Sequence, residues 1–304
     1  MATVTTSIDL RLAVLIDADN VPRNCIKAVM EEIAVYGTPT IKRIYGDWTS
    51  PNIGGWKSAL LENAITPIQQ YGYTTGKNST DSAMIIDAMD ILYSGRTDGF
   101  CIVSSDSDFT RLAIRLREAG MKVIGIGEKK TPNPFIVACD KFIYIEVIRA
   151  AAADMGKVAA KSTTKTEKSS AAHAVSSRSG AKKPASPKKQ PGAGENGAAE
   201  KNGHPQHGED THNDNHSENG NHRVPENIVK LIAASVSDIA DEDGYAFMGE
   251  LGNLLLKKQP DFDPRNFGFT KLTPLVRSLS RFEIDVRQTA DANIKHIYLR
   301  DREA

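Results

Sequence analysis

The stretch Leu12-Ala-Val-Leu-Ile16, followed directly by Asp17-Ala-Asp-Asn20, decides the fold of the first half of the chain. Consecutive apolar residues of this kind are typical of a strand buried on both faces, as strands in parallel sheets are. Further strands are predicted where similar segments recur, at 41–45, 67–70, 100–103, 122–126 and 142–145. Helical periodicity fills the intervals, at 24–36, 55–63, 81–93 and 109–119. This alternation predicts an α/β domain in which a parallel sheet carries helices on both faces.

The segment from residue 151 to residue 223 differs in composition from the rest of the chain. Its large apolar residues are Met155, Val158 and Val175, and it contains no aromatic residue. Such a segment buries too little apolar surface to offset the entropy cost of ordering it, so we predict a disordered linker. The histidines between His204 and His222 lie among glycine, asparagine and aspartate without the fixed spacing of a zinc site, which argues against metal binding there.

The predicted elements come in a different order in the last part of the chain, because helical patterns come first and strands follow. Helices are predicted at 225–241, 246–257 and 271–280, and two short strands at 282–286 and 294–299. Three helices and a hairpin in a segment of this length predict a small winged helix-turn-helix domain. The expected organisation is therefore an N-terminal tail at 1–9, an α/β domain at 10–150, a linker at 151–223 and a winged-helix domain at 224–304.

Composition excludes several classes of protein. The 304 residues carry 38 basic and 38 acidic side chains, so affinity for nucleic acid through massed positive charge is not expected. No apolar run approaches the roughly 18 residues that span a bilayer, and the N-terminus lacks the pattern of a secretory signal. The three cysteines are far apart and lie in apolar contexts. We therefore expect a cytoplasmic protein without membrane contact, with its cysteines in the core.

Acidic side chains follow the predicted strands at one edge of the sheet. Asp17 ends the first strand, Asp106 and Asp108 follow the strand at 100–103, and Asp81 opens the helix between them. Carboxyl ends of parallel strands meet at one edge, where ligands bind in open α/β sheets. Close carboxylates without basic partners repel one another, which a bound divalent cation relieves. Oxygen ligands without histidine or cysteine favour Mg²⁺ or Mn²⁺, and phosphodiester hydrolysis suits such a site.

Each of these acids also has a structural interpretation. Asp17 and Asp108 can cap the helices that follow them, and Asp81 can be a first-turn acid that the helix dipole favours. Asn20 can form an Asx turn. We expect Asp19 to face away from Asp17. A haloacid-dehalogenase-like phosphatase, which would use Asp17 as a covalent nucleophile, is a further alternative.

Three motifs in this order resemble the NYN domain, a branch of the PIN-like nucleases. They are Leu15-Ile-Asp-Ala-Asp-Asn20, Gly76-Lys-Asn-Ser-Thr-Asp81 and Ser105-Asp-Ser-Asp-Phe109, and the resemblance covers residues 10–148. It implies a metal-dependent ribonuclease in which Asp17, Asp81, Asp106 and Asp108 are catalytic metal ligands. Asn20 is then a polar catalytic member of the same site, and the role of the family acid at Asp87 stays open.

The C-terminal segment resembles an OST-HTH, or LOTUS, domain. The motifs are Asp243-Gly-Tyr-Ala-Phe-Met-Gly-Glu-Leu-Gly252, then 259–268 and 269–275. The resemblance implies a module that binds RNA or protein. Contact with RNA would use the basic residues Lys257, Lys258, Arg265, Lys271, Arg277 and Arg281. Pro274 departs from a regular helix, which predicts that it lies near the start of the third helix.

Contacts with substrate are predicted at four further positions. Trp48 lies beside a Gly-containing loop and offers a ring on which unpaired bases stack, although core packing is the alternative. Lys77 and Asn78 precede Asp81, where a phosphate would lie, and Ser105 offers a hydroxyl. The chain is thus predicted to be a ribonuclease with a C-terminal recruitment domain. The alternative is a noncatalytic RNA- or protein-binding regulator that retains the fold.

Overall fold

The computed structural model describes residues 9–71, 79–153, 224–288 and 295–304. The predicted linker lies outside these residues except for 151–153, as do Lys77, Asn78 and most of the N-terminal tail. All of these described residues belong to one compact unit. No helix among the described residues is long and apolar enough to cross a membrane.

The first half of the chain contains the predicted parallel sheet. Its strands are β1 (Arg11–Asp17), β2 (Thr38–Gly46), β3 (Thr66–Gln69), β4 (Gly99–Val103), β5 (Lys122–Gly127) and β6 (Lys141–Tyr144). The spatial order is β3-β2-β1-β4-β5-β6, and each neighbouring pair is parallel. The strands β1 and β4 are buried almost throughout, which explains why their sequences are continuously apolar rather than alternating.

Helices cover both faces of this sheet, as the apolar pattern predicts. They are α1 (Ile26–Ile33), α2 (Lys57–Asn63), α3 (Ser79–Ser94), α4 (Thr110–Glu118), α5 (Asn133–Ala138) and α6, which is described over residues 145–153. Alternate residues of β1 divide between two cores: Val14 packs with α1 and α2 on one face, and Leu15 packs with α3, α4 and α5 on the other. All three cysteines are buried and free, so their predicted place in the core is confirmed.

Two elements of this part are absent from the sequence prediction. The helix α5 has only six residues and begins in a segment with Pro132 and Pro134, which resembles a loop when judged from sequence. Residues 145–153 are helical, whereas the last strand was expected to reach Ile145 and the linker to begin at Ala151. Ile145 and Ile148 are buried in the core, so packing against the sheet stabilises this helix, which continues into the first three residues of the predicted linker.

The C-terminal part is a small helical domain with a three-stranded sheet. Its helices are α7 (Glu226–Ile239), α8 (Met248–Lys258) and α9 (Leu272–Ser278), and its strands are β7 (Tyr245–Phe247), β8 (Phe282–Gln288) and β9 (Lys295–Asp301). The sheet order is β7-β9-β8 with antiparallel pairs, so β7 adds a strand to the predicted hairpin. Pro274 lies in the first turn of α9, where its missing N–H costs nothing. Residues such as Leu251, Leu275 and Leu299 form a core separate from those of the first half.

Candidate metal centre

The candidate site lies where the strand order of the large sheet reverses. From β1 the chain proceeds to β2 and β3 on one side and to β4, β5 and β6 on the other. The loops after β1 and β4 therefore diverge and leave a crevice at the carboxyl ends of these two neighbouring strands. Crevices of this kind are the usual ligand-binding position in open α/β sheets.

Three carboxylates converge in this crevice. Asp81, Asp106 and Asp108 each place a carboxylate oxygen within 4.8 Å of the others. Asp81 lies in the first turn of α3, where the helix dipole favours negative charge. Asp106 follows β4 and accepts a hydrogen bond of 2.9 Å from the backbone N–H of Asp108. The loop after β4 and the first turn of α3 thus meet at this site.

Asp17, the fourth predicted ligand, is not part of this close group. It is 1% exposed and its carboxylate accepts three hydrogen bonds. The Asp19 N–H donates at 3.0 Å to Oδ1, while the Asn20 amide and the Ser104 hydroxyl donate to Oδ2 at 2.7 and 2.8 Å. A carboxylate offers about four acceptor positions, so one position stays available to an ion.

Ser104 connects Asp17 with the loop that carries Asp106. Its hydroxyl is fully buried; it donates to Asp17 and accepts a hydrogen bond of 3.1 Å from the Asp106 N–H. The Ser104 side chain therefore orients both strand ends at once. In the sequence Ser104 has no signal that separates it from Ser105 and Ser107.

Burial and neighbouring carboxylates raise the pKa of two acids in the crevice, Asp81 and Asp19. Burial, and then repulsion from Asp17, Asp106, Asp108 and Asp19, raise the pKa of Asp81 to about 6 from its ordinary 3.8. Burial, Asp17 and Asp47 raise the pKa of Asp19 in the same direction. The negative charge of the crevice is therefore unfavourable to the folded protein when nothing positive is bound.

The donor set fits a hard divalent cation. All the close ligand atoms are carboxylate oxygens, which Mg²⁺ and Mn²⁺ prefer, while zinc usually takes histidine or cysteine. Within the described ranges, no lysine or arginine forms an ion pair with Asp17, Asp81 or Asp106. A cation held by these oxygens would offset the charges of Asp81 and Asp106.

Two further acids near the sheet have other partners. Asp87 lies on α3 and accepts hydrogen bonds from Arg43 and from the Tyr45 hydroxyl, so it ties α3 to β2. Asp47 follows β2, as Asp17 follows β1, and accepts hydrogen bonds from Thr49 and Gln69. Asp47 is a member of the acidic edge that sequence reasoning missed, although its position after a strand is the same signal.

The predicted substrate contacts are placed in different ways. Trp48 is half-buried against the core, and its indole N–H donates to the Ile68 carbonyl at 2.9 Å. Ser105 is buried, and its hydroxyl accepts a hydrogen bond of 2.8 Å from the Glu128 N–H. These contacts favour a structural role for both side chains.

Half of the basic residues predicted to contact RNA form ion pairs within the protein. Lys258 pairs with Asp238, Arg281 with Asp301 and Glu303, and Arg265 with Asp263 and Glu32. Lys257 and the exposed Lys271 and Arg277 form no ion pair within the described residues.

Aromatic and arginine side chains share the outer face of the small sheet, opposite the face that carries Leu299. The guanidinium of Arg287 lies 4.7 Å from the ring centre of Tyr245 and 4.3 Å from that of Tyr298. Arg300 lies 4.9 Å from Tyr245, and the rings of Phe247 and Tyr298 are 5.7 Å apart. We call these five residues the aromatic face of the small sheet.

Comparisons with known proteins agree with this architecture. A family model described as NYN domain matches residues 11–146, and one described as OST-HTH/LOTUS domain matches residues 223–293. No curated protein matches the chain.

Two solved structures are similar to parts of the chain. A protein of unknown function from Vibrio parahaemolyticus RIMD 2210633 is 19% identical, covering 46% of this chain and 95% of its own, with a TM-score of 0.40. An uncharacterized protein from Nitrosomonas europaea is 32% identical, covering 30% of this chain and 92% of its own, with a TM-score of 0.23.

Proposed function

Because this chain combines an NYN domain of the PIN-like nuclease class with an OST-HTH/LOTUS domain, we propose that it is a metal-dependent ribonuclease. The reaction is hydrolysis of RNA phosphodiester bonds in the crevice between β1 and β4. One observation carries this proposal: Asp81, Asp106 and Asp108 bring their oxygens within 4.8 Å of one another at the switch point of the sheet.

The three close carboxylates would hold one or two Mg²⁺ or Mn²⁺ ions, with Asp17 as the fourth acid behind them. Such an ion supplies positive charge for the phosphoryl group and a water of lowered pKa. The chain's own contribution is orientation, because Ser104 and Asn20 hold Asp17 in one position. The N–H of Asp108 similarly fixes the carboxylate of Asp106. A preorganised cluster of this kind loses little free energy to rearrangement when substrate binds.

The C-terminal domain would bring RNA to this site. Tyr245, Phe247 and Tyr298 offer rings for unpaired bases, and stacking of this kind is independent of sequence. Lys257, Lys271 and Arg277 add positive charge for the phosphate backbone, which the neutral overall composition does not provide. This arrangement favours single-stranded RNA, or loops with unpaired bases, over regular duplex.

The experiment is RNA cleavage with added Mn²⁺ by the full-length protein and by the Asp106→Asn variant. Asparagine keeps the side-chain acceptor for the Asp108 N–H but lacks the charge, so we expect cleavage to fall about a hundredfold or more. Asp90→Asn is the matched control, because Asp90 is exposed on α3, and it should cleave like the wild type. Equal cleavage by all three proteins would contradict the site, and tight RNA binding without turnover would favour the noncatalytic regulator.

A further inference from the structure

One loop of the OST-HTH/LOTUS domain, residues 259–267, contacts the NYN domain at β6 and α1 within the same compact unit. The OST-HTH/LOTUS domain is thus in direct contact with the edge of the large sheet. We propose that the OST-HTH/LOTUS domain docks on this edge in cis, so that the two domains form one rigid body. We further propose that the ion pairs of Arg265 hold it there.

Arg265 makes the most specific of these contacts. Its Nη1 and Nη2 donate to the two carboxylate oxygens of Glu32 on α1, at 2.8 and 2.7 Å. Its Nε and Nη2 also donate to Asp263 of its own loop, at 3.1 and 2.7 Å. This guanidinium donates two hydrogen bonds to one carboxylate of the other domain, and a second carboxylate holds it in place. Its orientation is therefore strongly constrained. Lysine cannot reproduce this geometry.

The side chains of this ion-pair network are largely removed from water. The exposed fractions are 25% for Arg265, 12% for Glu32 and 9% for Asp263. Burial opposes ionisation of Asp263, yet hydrogen bonds from Arg265 keep its pKa below the ordinary value. Removing Arg265 would therefore leave two carboxylates close together and poorly hydrated, which is costly.

The edge strand β6 supplies a second set of contacts. Its Phe142 N–H donates to the Pro260 carbonyl at 2.8 Å, and the Tyr144 hydroxyl donates to Asp261 at 2.7 Å. An edge strand with free backbone groups is prone to unwanted pairing. The loop of the second domain satisfies one of these groups, so docking and edge protection coincide.

Lys141 and Tyr36 close the interface on the side of α1. The Lys141 ammonium lies 5.4 Å from the ring centre of Tyr36, whose hydroxyl donates to Glu32. Burial lowers the pKa of Lys141, which agrees with a site covered by the second domain. The network thus contains side chains from α1, β6 and the docked loop.

Docking changes what Arg265 can do. A guanidinium held by two carboxylates is not available to an RNA phosphate, so RNA contacts by this domain must use other residues. The docked domain also keeps a constant distance from the acidic crevice, which a flexible tether would not provide. Docking of this kind needs no ribonuclease activity, so its test and the cleavage test can fail independently.

The experiment uses the full-length chain with a site-specific protease sequence inserted after Gly194, within the segment that joins the two domains. After cleavage, the two halves are passed through a size-exclusion column at micromolar concentration. We expect the wild-type halves to elute together. Arg265→Ala should weaken their association by roughly thirtyfold or more, as loss of one partner of a buried charge pair does. Arg277→Ala removes an exposed arginine of the same domain and is the matched control.

Glu32→Gln tests the same ion pair from the other domain, and it keeps the test informative if Arg265→Ala does not fold. It should also release the halves, and the double variant should be little weaker than the worse single variant, because both remove one interaction. Wild-type halves that stay separate even at millimolar concentration, the effective concentration that the joining segment provides in the intact chain, would overturn the docking proposal. Co-elution of both Arg265→Ala and Glu32→Gln halves, at the wild-type affinity, would overturn the role of Arg265.

Discussion

Asp81→Asn should make the metal-free protein more stable, although it removes a residue of the proposed active site. The pKa of Asp81 is about 6 in the folded protein against an ordinary 3.8, so the folded state binds this proton more tightly than the unfolded chain does. The charge of Asp81 therefore destabilises the fold increasingly as the pH rises from about 4 to about 7. Asparagine is neutral throughout this range and avoids the penalty.

The size of this stabilisation follows from the difference between the folded and the ordinary pKa of Asp81. A gap of about two pH units corresponds to about 3 kcal/mol for a fully buried group. Asp81 is only half-buried, so screening by solvent reduces the expected gain to about 1 kcal/mol at pH 7.5. For a protein of this size that is a rise of about 2–4 °C in the melting temperature. The gain should vanish near pH 4.

Bound metal ion should make the wild type more stable than Asp81→Asn, the reverse of the order expected without metal. An ion that binds the wild type at a hundredfold excess over its dissociation constant stabilises it by about 2.7 kcal/mol, whereas Asp81→Asn has lost one of its ligands. The assay is thermal unfolding in EDTA and in Mn²⁺ at pH 4 and pH 7.5. Asp87→Asn on the same helix is the contrast: it should lower the melting temperature in both buffers, because Asp87 is paired with Arg43 and Tyr45.

Two results would refute this reasoning. If Asp81→Asn melts below the wild type in EDTA at pH 7.5, repulsion within the crevice is not a cost to the fold. If Mn²⁺ stabilises Asp81→Asn as much as the wild type, Asp81 does not hold the ion.

Three further predictions concern other parts of the molecule. Ser104→Ala should lower Mn²⁺ affinity about 10–100-fold by calorimetry, because Asp17 loses the hydrogen bond that orients it; unchanged affinity would contradict this role. Gly125→Ala should cost about 1–3 kcal/mol in urea unfolding, since a methyl group there would lie 2.5 Å from Phe142, while Gly252→Ala in α8 should be neutral or stabilising. Tyr298→Ala should weaken binding of single-stranded RNA by about 1–3 kcal/mol in fluorescence anisotropy without a change in cleavage of a dinucleotide, and full binding would exclude the aromatic face.

Local patterns were sufficient for most of the fold. Buried strands need uninterrupted apolar residues, so β1, β4 and β5 are visible in the sequence, and the family motifs identify both domains. Short elements were missed where packing outweighs local preference. The helix α5 lies between prolines and β7 has only three residues, and neither is long enough to show a period.

The acidic residues at the edge of the sheet were likewise predictable only in part. Its existence follows from the sequence, because Asp17, Asp81 and Asp106 follow or open elements whose ends must meet at one side of a parallel sheet. Tertiary structure decided their separate positions: Asp17 lies buried among hydrogen bonds, and Asp81, Asp106 and Asp108 face one another.

The same distinction holds for the basic residues of the second domain. The sequence identifies Arg265 as a positive charge near the surface, and no local pattern shows that Glu32, 233 residues away, is its partner. Composition and periodicity determine which segments are buried, because burial depends on the residue itself and its near neighbours. Hydrogen bonds and ion pairs between distant segments depend on where the whole chain places two side chains, and only the tertiary structure decides that.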